Sequence, residues 1–126
     1  MGTFSCLLKL ISMNGEKSVE LDALVDTGAF YTQVPSSLLE DLGVERAGSI
    51  AIQFADGRVV QQDTGNAWAS VNGESVPTRV VFGDDDSLVL LGSYTLEGLH
   101  LAVDPVHQRF LSVTQHPACS SVSCAA

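Results

Sequence analysis

Hydrophobic and polar residues alternate with a period of two over much of this chain. Phe4, Cys6, Leu8 and Leu10 fall on one side of the run from Phe4 to Met13. Val19, Leu21, Ala23 and Val25 do the same between Lys17 and Val25. That period belongs to half-buried β-strands. Asn14-Gly15 separates the two runs, a dipeptide that favours the type I′ turn of a two-residue hairpin. The same reasoning predicts strands over 30–34, 49–54, 58–62, 67–71 and 76–82. A short continuous apolar strand is predicted over 88–91, and a last hairpin pairs 101–103 with 110–113. Asp56-Gly57, Asn72-Gly73 and Asp104-Pro105 supply the turns. Two stretches break the period. Ser36–Leu42 follows Pro35 and precedes Gly43, which predicts a short helix capped by Ser36 and Ser37 and stopped by Gly43. One or two helical turns are predicted over 95–99. Many short strands with one or two small helices make an all-β domain, closed or sandwiched.

Length and composition narrow the function. The chain has 126 residues, 45% of them hydrophobic and 17% charged, which fits one globular domain with a real core. Its net charge of −9 argues against nucleic acid or an anionic membrane surface as a partner, since both need a basic footprint. Cys6, Cys119 and Cys124 are an odd set that makes no disulfide framework and no zinc spacing. No basic, long apolar leader opens the chain, and no apolar run reaches the ~20 residues a bilayer span needs. The expectation is a cytoplasmic protein whose domain covers 1–114, followed by a loosely ordered tail over 115–126. There is no Gly-rich phosphate loop, no metal-ligand cluster and no nucleophile elbow, so neither a metal nor a cofactor is expected.

One stretch carries chemistry. Ala23-Leu24-Val25 leads an apolar strand directly into Asp26-Thr27-Gly28-Ala29. A carboxylate at the end of a buried strand needs compensation, because desolvation disfavours its charged form. Thr27 and Gly28 offer a hydroxyl and close backbone N–H groups for that purpose. The plain alternative is a strand running into a polar turn. Downstream, Leu90-Leu91-Gly92 repeats an apolar lead into a glycine.

With these two motifs the chain resembles the retropepsin-like aspartic proteases, most closely their small single-domain bacterial and archaeal members. Nearly the whole chain fits the family's order of elements. The resemblance implies a retropepsin-like closed barrel, the acid-protease fold, and an aspartic endopeptidase without cofactor. It implies that Asp26 is catalytic. Two such carboxyl groups share one proton and activate a water, because neither can ionise freely beside the other. This chain has one convincing Asp of that kind, so the second would come from another copy across a two-fold axis. The resemblance further implies that Thr27 hydrogen-bonds across that homodimer and that Gly28 and Ala29 line the substrate groove. Leu91 and Gly92 would pack beside the site. The hairpin from Ile52 to Val60, with Phe54, Ala55, Asp56 and Gly57 at its tip, matches the flap that closes the cleft. Arg58 follows at the cleft mouth, where a solvated turn charge is its simplest role.

Asp63-Thr64-Gly65 repeats the motif but lacks its flanks. Gln61 and Gln62 precede it and Asn66 follows, and too few residues separate it from Asp26 for two lobes. The expectation is a solvent turn leaving the flap hairpin. The chain also departs from many retroviral members, which place an acidic residue after Asp-Thr-Gly-Ala and an Arg after the second motif. Phe30 and Ser93 stand there instead, so both ends of that ion pair are absent together. Two other readings remain: a non-catalytic retropepsin-like module that binds peptides or dimerises, and a monomeric β-barrel in which Asp26 caps a turn. The expected partners are a peptide or protein substrate and a second copy of the chain.

Overall fold

The computed structural model describes residues 4–113. The expected tail, with Cys119 and Cys124, lies outside them. Among the described residues, strands β1 (Phe4–Ile11), β2 (Ser18–Val25), β3 (Thr32–Pro35), β4 (Gly48–Gln53), β5 (Val59–Val71), β6 (Glu74–Gly83) and β7 (Leu90–Leu91) form one sheet, in the order β1-β2-β7-β3-β6-β5-β4. A further pairing of Lys9–Ile11 with Trp68–Ser70 joins β1 to β5, so six of the strands form a ring from which β4 hangs. Helices α1 (Ser36–Leu42) and α2 (Ser93–Gly98) and a separate hairpin of β8 (Leu101–Asp104) and β9 (Arg109–Ser112) complete the all-β fold.

The alternation places the core as expected. Leu8 and Leu10 of β1 and Ala23 and Val25 of β2 turn inward to meet Val34, Ala67, Ala69, Val71, Val80 and Leu91. Cys6 is half-buried at the edge of this core as a free thiol, and burial pushes its pKa up. Helix α1 runs between its predicted bounds, and Gly43 (φ +87°) ends it in the left-handed conformation. Asn72 (φ +54°) and Gly73 (φ +86°) make the I′ turn between β5 and β6.

Several local expectations are corrected. The first hairpin is not closed at Asn14-Gly15, for only Gly15 of the pair has positive φ. Ser12 closes a wider loop instead. Its N–H donates to Lys17 O (2.9 Å), its hydroxyl donates to Asn14 Oδ1 (2.7 Å) and accepts from Lys17 N (3.0 Å). These side-chain bonds outcompete the tight turn. Ser36 and Ser37 do not cap α1, whose N-cap is Pro35. The Asp85 carboxylate accepts from Ser37 N (2.9 Å), and Ser36 Oγ donates to Gly83 O (2.8 Å), so the acidic loop after β6 caps the helix.

Asp63-Thr64-Gly65 is not a turn. It lies inside β5, paired with Gly48 and Ser49 of β4 on one side and with Val80 and Val81 of β6 on the other. Thr64 is buried, and a side chain at Gly65 would meet Glu45 O and Val44 at 2.6 Å. Asp63 is held at 2.8 Å by Arg46, which also reaches Glu40 at 2.9 Å.

Candidate active site

Strand β2 delivers Asp26 to a knot of backbone hydrogen bonds. Leu24 and Val25 run parallel to Leu90 and Leu91 of β7, and Asp26 N donates to Leu91 O at 3.1 Å. The chain then reverses, with Ala29 N donating to Asp26 O (3.1 Å). Within that turn Gly28 N donates to Asp26 Oδ1 (2.9 Å), so the carboxylate is oriented by the residue two positions on. A Cβ at Gly28 would sit 3.2 Å from that oxygen, which is why the smallest residue suits the turn. Asp26 and Ala29 are half-buried, while Thr27 and Gly28 are exposed.

The second motif locks onto the first. Gly92 presses so close to Phe30 O and to the Tyr31 carbonyl, 2.6 Å from an added Cβ, that no side chain fits. The first amides of α2 find their acceptors in the Asp26 loop: Ser93 N donates to Ala29 O and Tyr94 N to Phe30 O, each at 2.9 Å. These are orphan donors of a helix start, satisfied by backbone carbonyls. Asp26, Gly28, Ala29, Leu91 and Gly92 are therefore brought into one unit.

Beneath it lies a feature that the sequence did not disclose. Thr95 Oγ1 hydrogen-bonds Thr32 Oγ1 (2.7 Å) and Thr78 Oγ1 (2.8 Å), and Thr32 Oγ1 also accepts from Gly92 N (3.1 Å). All three threonines are buried. The network ties β3, β6 and α2 to the glycine that wedges the Asp26 loop.

The β4–β5 tip is built differently. Phe54 N donates to Arg58 O (2.8 Å), Gly57 N to Phe54 O (2.9 Å), and Gly57 takes φ +91°. Arg58 folds back, with its backbone N–H and guanidinium both on the Asp56 carboxylate and its charge 4.8 Å over the Phe54 ring. Those two bonds hold the Asp56 pKa below the usual carboxylate value. Phe54, Ala55, Asp56 and Gly57 are all exposed, and no residue from 45 to 63 is buried. Among the described residues no hydrogen bond or ion pair joins this tip to the Asp26 unit. A groove of about 480 Å³ between the Ser12–Lys17 loop and the end of α1 includes none of the predicted site residues.

Residues 11–95 match the family model of aspartyl proteases. The chain belongs to that family. Its fold is that of the retropepsins. It aligns with the solution structure of the simian foamy virus (mac) protease at 23% identity and a TM-score of 0.54, over 75% of this chain and 92% of that one. It aligns with the EIAV protease complexed with the inhibitor HBY-793 at 20% identity and a TM-score of 0.57, over 76% and 86% respectively. No curated protein matches its sequence. Among the described residues no helix is long and apolar enough to cross a membrane.

Proposed function

We propose that this aspartyl protease is an endopeptidase that works as a homodimer, with Asp26 of each copy forming the catalytic pair. The observation that carries the reading is Asp26 itself. It is half-buried at the end of a core strand, with its carboxylate oriented by Gly28 N and its backbone fixed to Leu91, in a chain whose family is aspartyl proteases. The other Asp-Thr-Gly is engaged in the middle of β5 with Arg46 on its carboxylate, which makes it unsuited as a partner within one chain. A two-fold axis at the Asp26 turn supplies the second carboxyl group.

The chemistry follows from two carboxyl groups in contact. They hold a single proton between them and a water molecule against both. The ionised group takes a proton from the water as its oxygen attacks the peptide carbonyl carbon. The protonated group gives its proton to the carbonyl oxygen, leaving a neutral tetrahedral diol. Collapse of the diol returns a proton through the pair to the leaving nitrogen, and the C–N bond breaks. Thr27, exposed at the turn, bonds across the dimer and fixes the pair. Gly28 and Ala29 line the groove. The outer part of the β4–β5 hairpin, with no buried residue from 45 to 63 to anchor it, is a flap that closes over the substrate and excludes water.

Asp26→Asn tests this reading. It keeps the size and the acceptor for Gly28 N, so fold and solution mass should persist while cleavage of a peptide library across pH ~3–7 disappears. Cleavage that survives the substitution would overturn the mechanism. A wild-type chain that binds peptides but cuts none over that range would be a peptide-binding module instead.

A further inference from the structure

Three aromatic rings stand next to the Asp26 turn. Phe30 and Tyr94 are 55% and 45% exposed, and Tyr31 is half-buried beside them. Each ring touches the other two: Phe30 and Tyr31 at 4.8 Å between centroids, Phe30 and Tyr94 at 5.6 Å, Tyr31 and Tyr94 at 5.6 Å. The Arg79 guanidinium lies 5.8 Å over the Tyr31 ring. Arg46, Arg58 and Arg109 all hold carboxylates, whereas Arg79 has no ion pair among the described residues. Exposed apolar side chains gathered into one contiguous patch, unlike those scattered singly, mark interaction or ligand-binding surfaces.

We infer that the Phe30–Tyr31–Tyr94 cluster is a specificity wall that receives a bulky apolar side chain of the peptide substrate, a proposal that rests on the reading of Asp26 as catalytic. The cluster cannot drift from the carboxylate. Ala29 N is bonded to Asp26 O, Tyr94 N to Phe30 O, and Gly92 fills the space between with no room for a side chain. The turn keeps the Cα atoms of Asp26 and Ala29 within about 7 Å, and an extended peptide advances about 3.3 Å per residue. A substrate side chain two or three positions from the cut bond therefore falls on these rings. The ring faces accept apolar or aromatic groups. Arg79 at the rim adds a positive charge, which disfavours Lys or Arg at that substrate position.

Binding to the Asp26→Asn chain separates this inference from the catalytic one, because bound peptides stay whole. Fluorescein-labelled peptide pools carrying Phe, Ala or Lys at one position would be compared by anisotropy. The Phe pool should bind about tenfold more tightly than the Ala pool at one position, the order expected for burying a phenyl group, with Lys weakest. The preference should fall below about threefold when Phe30→Ala and Tyr94→Ala are added, and in Phe30→Ser alone should the double change impair folding. Equal binding of the three pools, absence of binding, or a preference that survives the substitutions would overturn the inference. So would loss of dimer mass with the preference intact, since the rings would then belong to the contact between copies. Peptide binding with the expected preference but no wild-type cleavage would leave the wall standing and refute the catalytic reading.

Discussion

Replacing Thr95 by Val is the sharpest test of what holds the Asp26 loop in place. Val keeps the volume and branching of Thr and removes only the hydroxyl. Thr95 Oγ1 makes two contacts, at 2.7 Å to Thr32 and 2.8 Å to Thr78, in a site from which water is excluded. Thr32 retains the N–H of Gly92, but Thr78 is left with no hydroxyl partner among the described residues. Two lost hydrogen bonds at about 1 kcal/mol each, plus the stranding of a buried hydroxyl at about 1–2 kcal/mol, give a loss of about 3–4 kcal/mol. With a urea slope of about 1–3 kcal/mol per molar for a protein of this size, the unfolding midpoint should fall by about 1–4 M. Adding Thr78→Val removes the stranded group, so the double variant should cost less than the sum of the two single changes. Thr95→Ser, which keeps the hydroxyl, should restore most of the loss. Hydrogen exchange at the Gly92 amide should speed up in the Val variant, because its acceptor Thr32 is no longer held. A midpoint shift below about 0.3 M in Thr95→Val, or strict additivity in the double variant, would refute the idea that the three hydroxyls act as one network.

Other outcomes follow from single residues. Gly92→Ala should destabilise by about 1–3 kcal/mol or more and abolish cleavage, since its Cβ would sit 2.6 Å from the Phe30 and Tyr31 carbonyls; a thermal melt within 1–2 °C of wild type would contradict that packing. Asp63→Asn should leave cleavage unchanged, and a loss comparable to Asp26→Asn would restore the second Asp-Thr-Gly as a catalytic candidate. Asp104 accepts from His107 Nδ1, the backbone of His107 and Val106, and Arg109, with the His107 side chain first among the causes that lower its pKa. A depressed carboxylate stabilises above its unfolded value and loses that contribution as pH falls through the folded one. The turn between β8 and β9 should therefore hold at neutral pH and loosen in strong acid, below the usual carboxylate range. Amide shifts of Val106 and His107 should follow that titration, and Asp104→Asn should remove it.

What the sequence disclosed and what it hid divide along the range of the interactions. Strands β1 and β2 were legible because their alternation is local, and α1 because Pro35 and Gly43 bracket it. Asn72-Gly73 was legible as a turn because nothing nearby competes with it. Asn14-Gly15 was misread because the Ser12 hydroxyl closes a wider loop. Asp63-Thr64-Gly65 has the composition of a turn, yet β4 and β6 pair with it from both sides and Gly65 serves as a contact point for Val44 and Glu45. The position of Asp26 at the end of a core strand was legible from its flanks. The threonine network was not, because its members lie 17 and 63 residues apart. Neither was the aromatic wall, which joins Phe30 and Tyr31 to Tyr94 from another motif.

The central claim, that the active site is shared between two copies of Asp26, is tested most directly by mixing. Wild-type and Asp26→Asn chains would be combined at constant total concentration, above that at which wild-type activity saturates per chain, and allowed to exchange before peptide cleavage is measured. If every site needs one Asp26 from each copy, an equal mixture retains about one quarter of the wild-type rate, because only about one quarter of randomly formed dimers carry both carboxyl groups. An equal mixture that retains about one half would mean that each chain works alone, and the shared site would be refuted.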